Sequence, residues 1–466
     1  MSLAAETTLP IASEEKENPN KIIWALAWPA VILQSLQGIN ILLDTYFVGH
    51  LSTAALTAVG SGGNMTFLIF SIAMALSAAA TALVSRAYGA KNEQEYKTAS
   101  RQVLSLALYG GIIFMLIGFL LNPWFANLLI PAEDVEAKQL MVQYLFYAMF
   151  SAPALFILES LAGSFNAIGD TKSSARISGF QIFLHIVLNY FLVLSETRFL
   201  GITIPGLGLG VSGAGIALAA SQWIAAIIYI AWAAKTPIGN CWQINFPVFE
   251  WVKRISRIAT PAAVTWLLRV VMYMAFTILL TTIPAGSQAI AAMRAGFAVE
   301  TMAFMPTIGL GIAAATLVGQ SLGMRNPKRA ERLGWLASHH AAIIATVVAV
   351  LLYCFADPIA NLIVTNKPEV SAIVADYIRF ICISETFFAY AILMMFGMQG
   401  AGDTIRPLWI TIVTMLVVRI PLCWWLAHPL GLGANGCWIG MSATQVLQGV
   451  MAVYIFKQGK WKTVKV

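Results

Sequence analysis

The 466-residue chain is 59% hydrophobic and only 11% charged, with a mean hydropathy of +0.78. Soluble domains carry about 25% charged residues, so these totals exclude a soluble globular protein and leave a polytopic membrane protein. Its apolar runs are unbroken rather than short and alternating, which excludes a β-barrel in favour of helices.

The first 20 residues are polar and end in SEEKENPN. They carry no cleavable signal pattern, so the first span is expected to be an uncleaved anchor. The apolar runs predict twelve spans, at about 22–48, 54–84, 99–121, 138–162, 174–195, 211–234, 254–283, 287–319, 333–356, 370–398, 405–427 and 434–456. Of the 28 Lys and Arg, only Lys138, Arg198 and Lys367 fall on one side of such a set, and Arg269, Arg294, Arg379 and Arg419 fall within spans. All the others fall on the opposite side. The net charge of +7 is therefore a positive-inside signature and not a nucleic-acid footprint; it predicts a plasma (inner) membrane protein with both termini cytoplasmic. The five cysteines, at 241, 354, 382, 423 and 437, show no metal-ligand spacing and point to neither disulfides nor zinc.

Span 1 carries Pro29 near its start and Asp44 near its end. A carboxylate deep in a membrane costs on the order of 3 kcal/mol, so it usually faces a wet interior and has a task. The proline removes a backbone hydrogen bond and permits a bend. A bendable helix with a protonatable acid suits an ion-driven transporter; a purely structural, hydrogen-bonded Asp44 is the alternative. Gln37, Asn40 and Asp44 share one helix face, as do His185 and Asn189 in span 5. With Asn64 of span 2 they form a candidate proton or cation site.

The chain then repeats itself in the same direction. Ala78–Asn92 (AAATALVSRAYGAKN) returns as Ile312–Asn326 (IAAATLVGQSLGMRN), and Pro29-Ala30 as Pro261-Ala262. Gly169-Asp170-Thr171 returns as Gly402-Asp403-Thr404, and Leu207–Gly213 as Leu430–Gly436, followed by Ser221-Gln222 against Thr444-Gln445. Four echoes in order, at nearly one spacing, imply duplication. The expected fold is an all-α polytopic membrane protein of twelve transmembrane helices, in two parallel six-helix repeats forming two lobes with the substrate site between them. The expected divisions are a tail at 1–21, an N-lobe at 22–235, a linker at 236–253, a C-lobe at 254–456 and a basic tail at 457–466.

The second copy differs where the first is acidic. Asp44 corresponds to Phe276 and Gln37 to Arg269. Arg269, Arg294, Arg379 and Arg419, with Glu300, Glu385, Asp44 and Glu159, are expected mainly to pair and neutralise one another. The alternative is a cavity lined by Arg269, Met293, Arg294, Glu300, Glu385 and Phe388, receptive to anionic or zwitterionic groups and walled by flexible methionines. No Gly-Lys phosphate loop is present, so no ATP engine is expected. Gly400-Ala-Gly402-Asp403 matches the turn of intramembrane aspartyl proteases, but reads equally as a helix-end turn with Asp403 capping the next helix.

These features together resemble the multidrug and toxic compound extrusion (MATE) family: two six-helix halves, Pro29 ahead of Asp44 in an Asp-Thr-x-Phe-Val-Gly context, Gly-Ala-Lys-Asn after span 2 and Gly-x-Gly-Asp-Thr after span 10. The resemblance covers about residues 20–457 and mixes NorM-like with DinF-like features. It implies export of amphipathic organic compounds in exchange for H⁺ or Na⁺, with Asp44 at the family's span-1 acid, Pro29 at its bending proline and Asn189 at an Asn of NorM-like members. It also implies no cofactor beyond the coupling ion, small-molecule partners within the bilayer, no nucleic acid and a monomer. The second-lobe acids of NorM-like members fall here on Arg269 and Phe388. A lipid-linked precursor flippase of the same superfamily and an intramembrane enzyme are the rival functions.

Overall fold

The computed structural model describes residues 18–49, 51–199, 202–239, 245–364 and 367–466. Most of the amino-terminal tail, Cys241 and part of the linker lie outside the described residues, as does the side chain of Met302.

Helix α1 (Pro19–Gly49) opens on a proline, whose missing N–H is no loss in a first turn, and Asn18 Oδ1 accepts from Asn20 N at 3.0 Å. It runs unbroken through Pro29. Helices α2 (Thr53–Gly89) and α3 (Glu93–Leu129) follow, then α4 (Val135–Met149) and α5 (Ser151–Ala167). The expected fourth span is thus two helices, bent by 47° at their junction. Helix α6 (Thr171–Val193) leads into a hairpin absent from the sequence expectation, β1 (Glu196–Phe199) and β2 (Ile202–Pro205), paired antiparallel. Helix α7 (Gly210–Ala233) closes the first copy.

The second copy holds α8 (Phe249–Thr281), α9 (Gly286–Gly323), α10 (Pro327–Cys354), the short α11 (Ala356–Ile363) and α12 (Pro368–Gly400). Its eleventh span is composite: α13 (Ile405–Thr411), a π-helical stretch (Ile412–Arg419) and α14 (Ile420–Ala427). Helix α15 (Gly433–Gln458) and a 3₁₀ turn (Lys460–Thr463) end the chain. Among the described residues, eleven helices are long and apolar enough to cross a membrane, or twelve with the bent pair taken as one span. The protein is a multi-pass membrane protein.

The repeat is written into the turns. Gly169 (φ 88°) and Gly402 (φ 85°) both adopt the left-handed conformation that ends a helix, and each is followed by a capping aspartate. Asp170 Oδ1 accepts from Ser173 N at 3.0 Å, and Asp403 Oδ1 from Arg406 N at 3.3 Å. Lys91 and Arg325 share φ 56°, and the Asn after each caps the next helix, Asn92 for α3 and Asn326 for α10. Duplicated sequence has become duplicated backbone. Asp403 also pairs with Arg406, so the Gly-Ala-Gly-Asp motif is a helix-end turn.

Two compact units emerge. One comprises Leu36–Tyr88 and Asn92–Ala259; the other comprises the described part of Ile11–Ser35, Gly89–Lys91 and Thr260–Val466. Helix α5 is the axis of the first unit, with nearly every side chain buried and packed against α3 and α7. Helix α12 is the axis of the second, against α9, α10 and α15. Small residues set the close approaches, as expected where lipid provides no hydrophobic drive between helices. A Cβ at Gly111 would lie 2.5 Å from the Pro153 backbone. The basic tail is partly core: Trp461 is fully buried, stacks on Phe456 at 4.6 Å and donates to Phe456 O at 2.8 Å.

Candidate functional site

Two polar clusters stand out, one in each unit. In the first, α1 and α6 bring Asp44, Asn40, His185 and Asn189 together. Asn189 Nδ2 donates to Asp44 Oδ1 at 2.6 Å, and Asn40 Nδ2 to Asp44 Oδ2 at 3.3 Å. His185 Nε2 lies 3.1 and 3.3 Å from the two carboxylate oxygens, and Asn189 Nδ2 is 3.2 Å from the same ring nitrogen. The i, i+4 spacing of both pairs puts each on one helix face, so two helices suffice to build the cluster. The Asp44 side chain is 34% exposed and His185 only 4%, so the carboxylate sits between a buried donor set and an accessible side. His185 Nδ1, Asn40 Oδ1 and Asn189 Oδ1 are buried with no partner among the described residues.

Gln37 and Asn64, expected in this cluster, do not join it. Gln37 is partly buried and Asn64 exposed, and neither hydrogen-bonds to Asp44. Pro29 is buried in the first third of α1. Just beyond it the Ala30–Val31 backbone runs against Gly309 of α9, where a Cβ would sit 2.5 Å from Val31 N.

In the second unit, Glu300 of α9 accepts from Tyr377 Oη at 2.6 Å and from Gln445 Nε2 at 3.2 Å. Ser384 in turn donates to Gln445 Oε1. Arg419, at the end of the π-helical stretch, donates through Nε to Thr444 Oγ1 at 2.8 Å. The repeat partner of Thr444, Ser221, instead receives Gln181 at 3.2 Å, so the two copies put different chemistry at one position.

The expected neutralisation of intramembrane charges largely fails. Arg379 pairs with Asp357 at 2.5 Å and lies 3.7 Å from Asp376. Among the described residues, however, Arg269, Arg294 and Arg419 reach no carboxylate, and Glu159, Glu300 and Glu385 reach no cation, within ion-pair distance. Arg269 instead lies over the Trp266 ring at 5.6 Å, and Arg294 is exposed. Met293 is core, buried with Phe276, Tyr377 and Trp438 rather than forming a flexible wall. Phe388 is buried beside Phe304 at 6.1 Å. Glu385 is buried, with no hydrogen-bond partner among the described residues. Sequence reasoning misses Tyr377, Ser384 and Gln445 as site residues, although the echo of Ser221-Gln222 in Thr444-Gln445 is a usable pointer.

The MatE family model matches residues 29–191 and again 261–425, one match on each copy of the repeat. The chain belongs to the MatE family. It is similar to a probable multidrug resistance protein NorM of Thermotoga maritima, 26% identical over 97% of this chain and 95% of that one. A NorM-named protein of Acinetobacter baylyi is 29% identical over 90% and 92%. The fold matches an outward-facing multidrug resistance MATE family transporter of the MOP superfamily, with a TM-score of 0.88 at 20% identity over 97% and 98% of the two chains. The chain is thus a member of a transporter family, with curated relatives named as probable multidrug resistance proteins, and not an enzyme.

Proposed function

We propose that this MatE protein is a proton-coupled antiporter that exports amphipathic compounds from the cytoplasm, with Asp44 as the group that gains and loses the proton. The observation that supports this reading is the donor shell around the one partly exposed carboxylate of the α1–α6 cluster. As a carboxylate, Asp44 only accepts, and Asn189, Asn40 and His185 supply charge-assisted donors. Protonation turns one oxygen into a donor, which two amide N–H groups cannot receive. His185 can: with the ring hydrogen on the unpartnered Nδ1, its Nε2 becomes an acceptor. The tie between α1 and α6 is thereby weakened or reversed, and α1, already lacking a hydrogen bond at Pro29, is released to bend.

Proton rather than sodium coupling is favoured because the second copy holds Arg269 where NorM-like members of the family place an acid. Exchange of one proton for a neutral compound gains about 2.3 kcal/mol per 100 mV, close to a fiftyfold gradient. In this reading the halves 22–235 and 254–456 are the functional lobes of a monomer in the inner membrane, with both termini cytoplasmic.

The test is transport in proteoliposomes. A pH gradient without Na⁺ is expected to drive substrate movement, and Asp44→Asn to abolish that response while leaving the protein folded. Transport that requires a Na⁺ gradient and ignores the pH gradient refutes the assignment.

A further inference from the structure

The two copies place opposite charge on one duplicated turn. Lys91 and Arg325 share the same left-handed conformation, and the Asn that follows each caps a helix, α3 in the first copy and α10 in the second. The first turn of α3 then carries Glu93 and Glu95, as the positive end of a helix dipole favours. The first turn of α10 has no acid and holds Lys328 and Arg329 instead. Cations at a helix N-terminus are unfavourable, so the second copy gives up stability there that the first copy keeps.

The segment after α15 adds to this charge. Lys462 Nζ donates to Glu331 Oε2 of α10 at 2.7 Å. Trp461 stacks on Phe456, which meets Trp335 of α10 edge-on with ring centroids 6.0 Å apart. Segments 325–332 and 457–466 are thereby pinned together. They contain eight Lys and Arg and a single carboxylate side chain, Glu331, which Lys462 occupies. Arg325, Lys328, Arg332, Lys457, Lys460 and Lys465 are exposed, and among the described residues none lies within ion-pair distance of an Asp or Glu. Lys457 lies in the last turn of α15, just beyond the exposed Tyr454. Tyrosine is enriched where membrane helices leave the hydrocarbon, so these cations stand at headgroup level.

We infer that these two pinned segments form a docking platform for the headgroups of anionic phospholipids. Charge and place name the occupant. The platform is almost wholly cationic, it borders the bilayer, and clusters of roughly four to eight Lys and Arg beside a span attract anionic lipid headgroups. Lipid phosphate also offsets the mutual repulsion of the cations and the unfavourable charge at the start of α10. The Lys462–Glu331 pair removes the one acid that would compete, and the buried Trp461 fixes the tail against the helices. This site goes beyond the transport reading, and its binding needs no proton gradient.

The experiment places an environment-sensitive bimane label on Gln458→Cys in a cysteine-free background of the full-length protein. In neutral detergent micelles, the labelled protein is titrated with phosphatidylglycerol, phosphatidylcholine or inorganic phosphate. Phosphatidylglycerol is expected to shift the emission saturably, while the other two at the same concentrations do not. Lys328→Gln and Lys460→Gln should each raise the half-saturating concentration about fivefold, the effect of one basic residue at an anionic surface, and the double variant about twenty-fivefold. Lys367→Gln, just before α12, should change nothing. Added salt should weaken the response, because exposed charges are screened. An equal response to the two lipids, no response to either, an equal response to inorganic phosphate, an equal effect of Lys367→Gln, or an unchanged response in the double variant overturns the inference. If the double variant fails to fold, the single variants and the salt dependence decide in its place. Asp44→Asn should keep the lipid response while losing proton-driven transport, which separates failure of the platform from failure of the coupling reading.

Discussion

Replacing Gly309 by alanine adds one methyl group where α1 runs past α9, and the structure sets the size of the effect. A Cβ there would lie 2.5 Å from Val31 N, 2.7 Å from Val31 Cα and 2.8 Å from Ala30 C. Ordinary carbon contacts lie near 3.5 Å, so the two backbones must part by roughly 1 Å. No side-chain rotation relieves the clash, because every atom in it is main chain. Overpacking of this kind costs about 1–3 kcal/mol, and the better helix propensity of alanine returns up to about 1 kcal/mol. The net loss is expected at about 1–2 kcal/mol, seen as a melting temperature lowered by a few degrees in detergent. Gly179 in α6 has nothing within 4 Å of an added methyl, so Gly179→Ala is the control and should lose nothing. The contact lies one to two residues beyond Pro29, so transport by Gly309→Ala should fall more than its stability does. Equal stability and equal transport in Gly309→Ala and Gly179→Ala would refute the claim that the α1 hinge is seated on this glycine.

Removing the donor shell tests the Asp44 cluster piece by piece: Asn189→Leu takes away the 2.6 Å bond and should slow proton-driven uptake by roughly tenfold, the effect of one such bond, with unchanged expression. His185→Gln, which keeps a donor but cannot change tautomer, should slow it more than its loss of stability explains; unaltered rates in both variants would leave the shell without a role. Trp461→Ala removes a fully buried indole and should cost about 3–5 kcal/mol, read as a large fall in melting temperature; a small fall would mean that the tail packs only peripherally. In a cysteine-free background, single cysteines at Ser52, Ser287 and Lys367 should react with an impermeant thiol reagent from outside cells, and those at Lys91, Lys172 and Arg325 should not. The reverse labelling pattern would overturn the proposed orientation.

The amino-acid sequence determined the spans, the duplication and the family, because these depend on composition, periodicity and local turn chemistry. The echo at Gly169 and Gly402 reappears as matching dihedrals and matching aspartate caps, since a left-handed glycine followed by an N-cap is specified by a handful of adjacent residues. Sequence spacing also placed Asn40 with Asp44 and His185 with Asn189, because helical periodicity dictates which residues share a face. It could not say that those two faces meet, nor that Gln37 and Asn64 stay out of the cluster, because such contacts depend on how the helices rotate against one another. The charges of the second copy make the same point more sharply. Counting cations and acids suggests neutralisation, yet neutral donors from Tyr377 and Gln445 occupy Glu300, and a π-helical stretch ends on Arg419. Whether a buried charge is paired is decided by a few ångströms of side-chain reach, and only the tertiary structure fixes those distances.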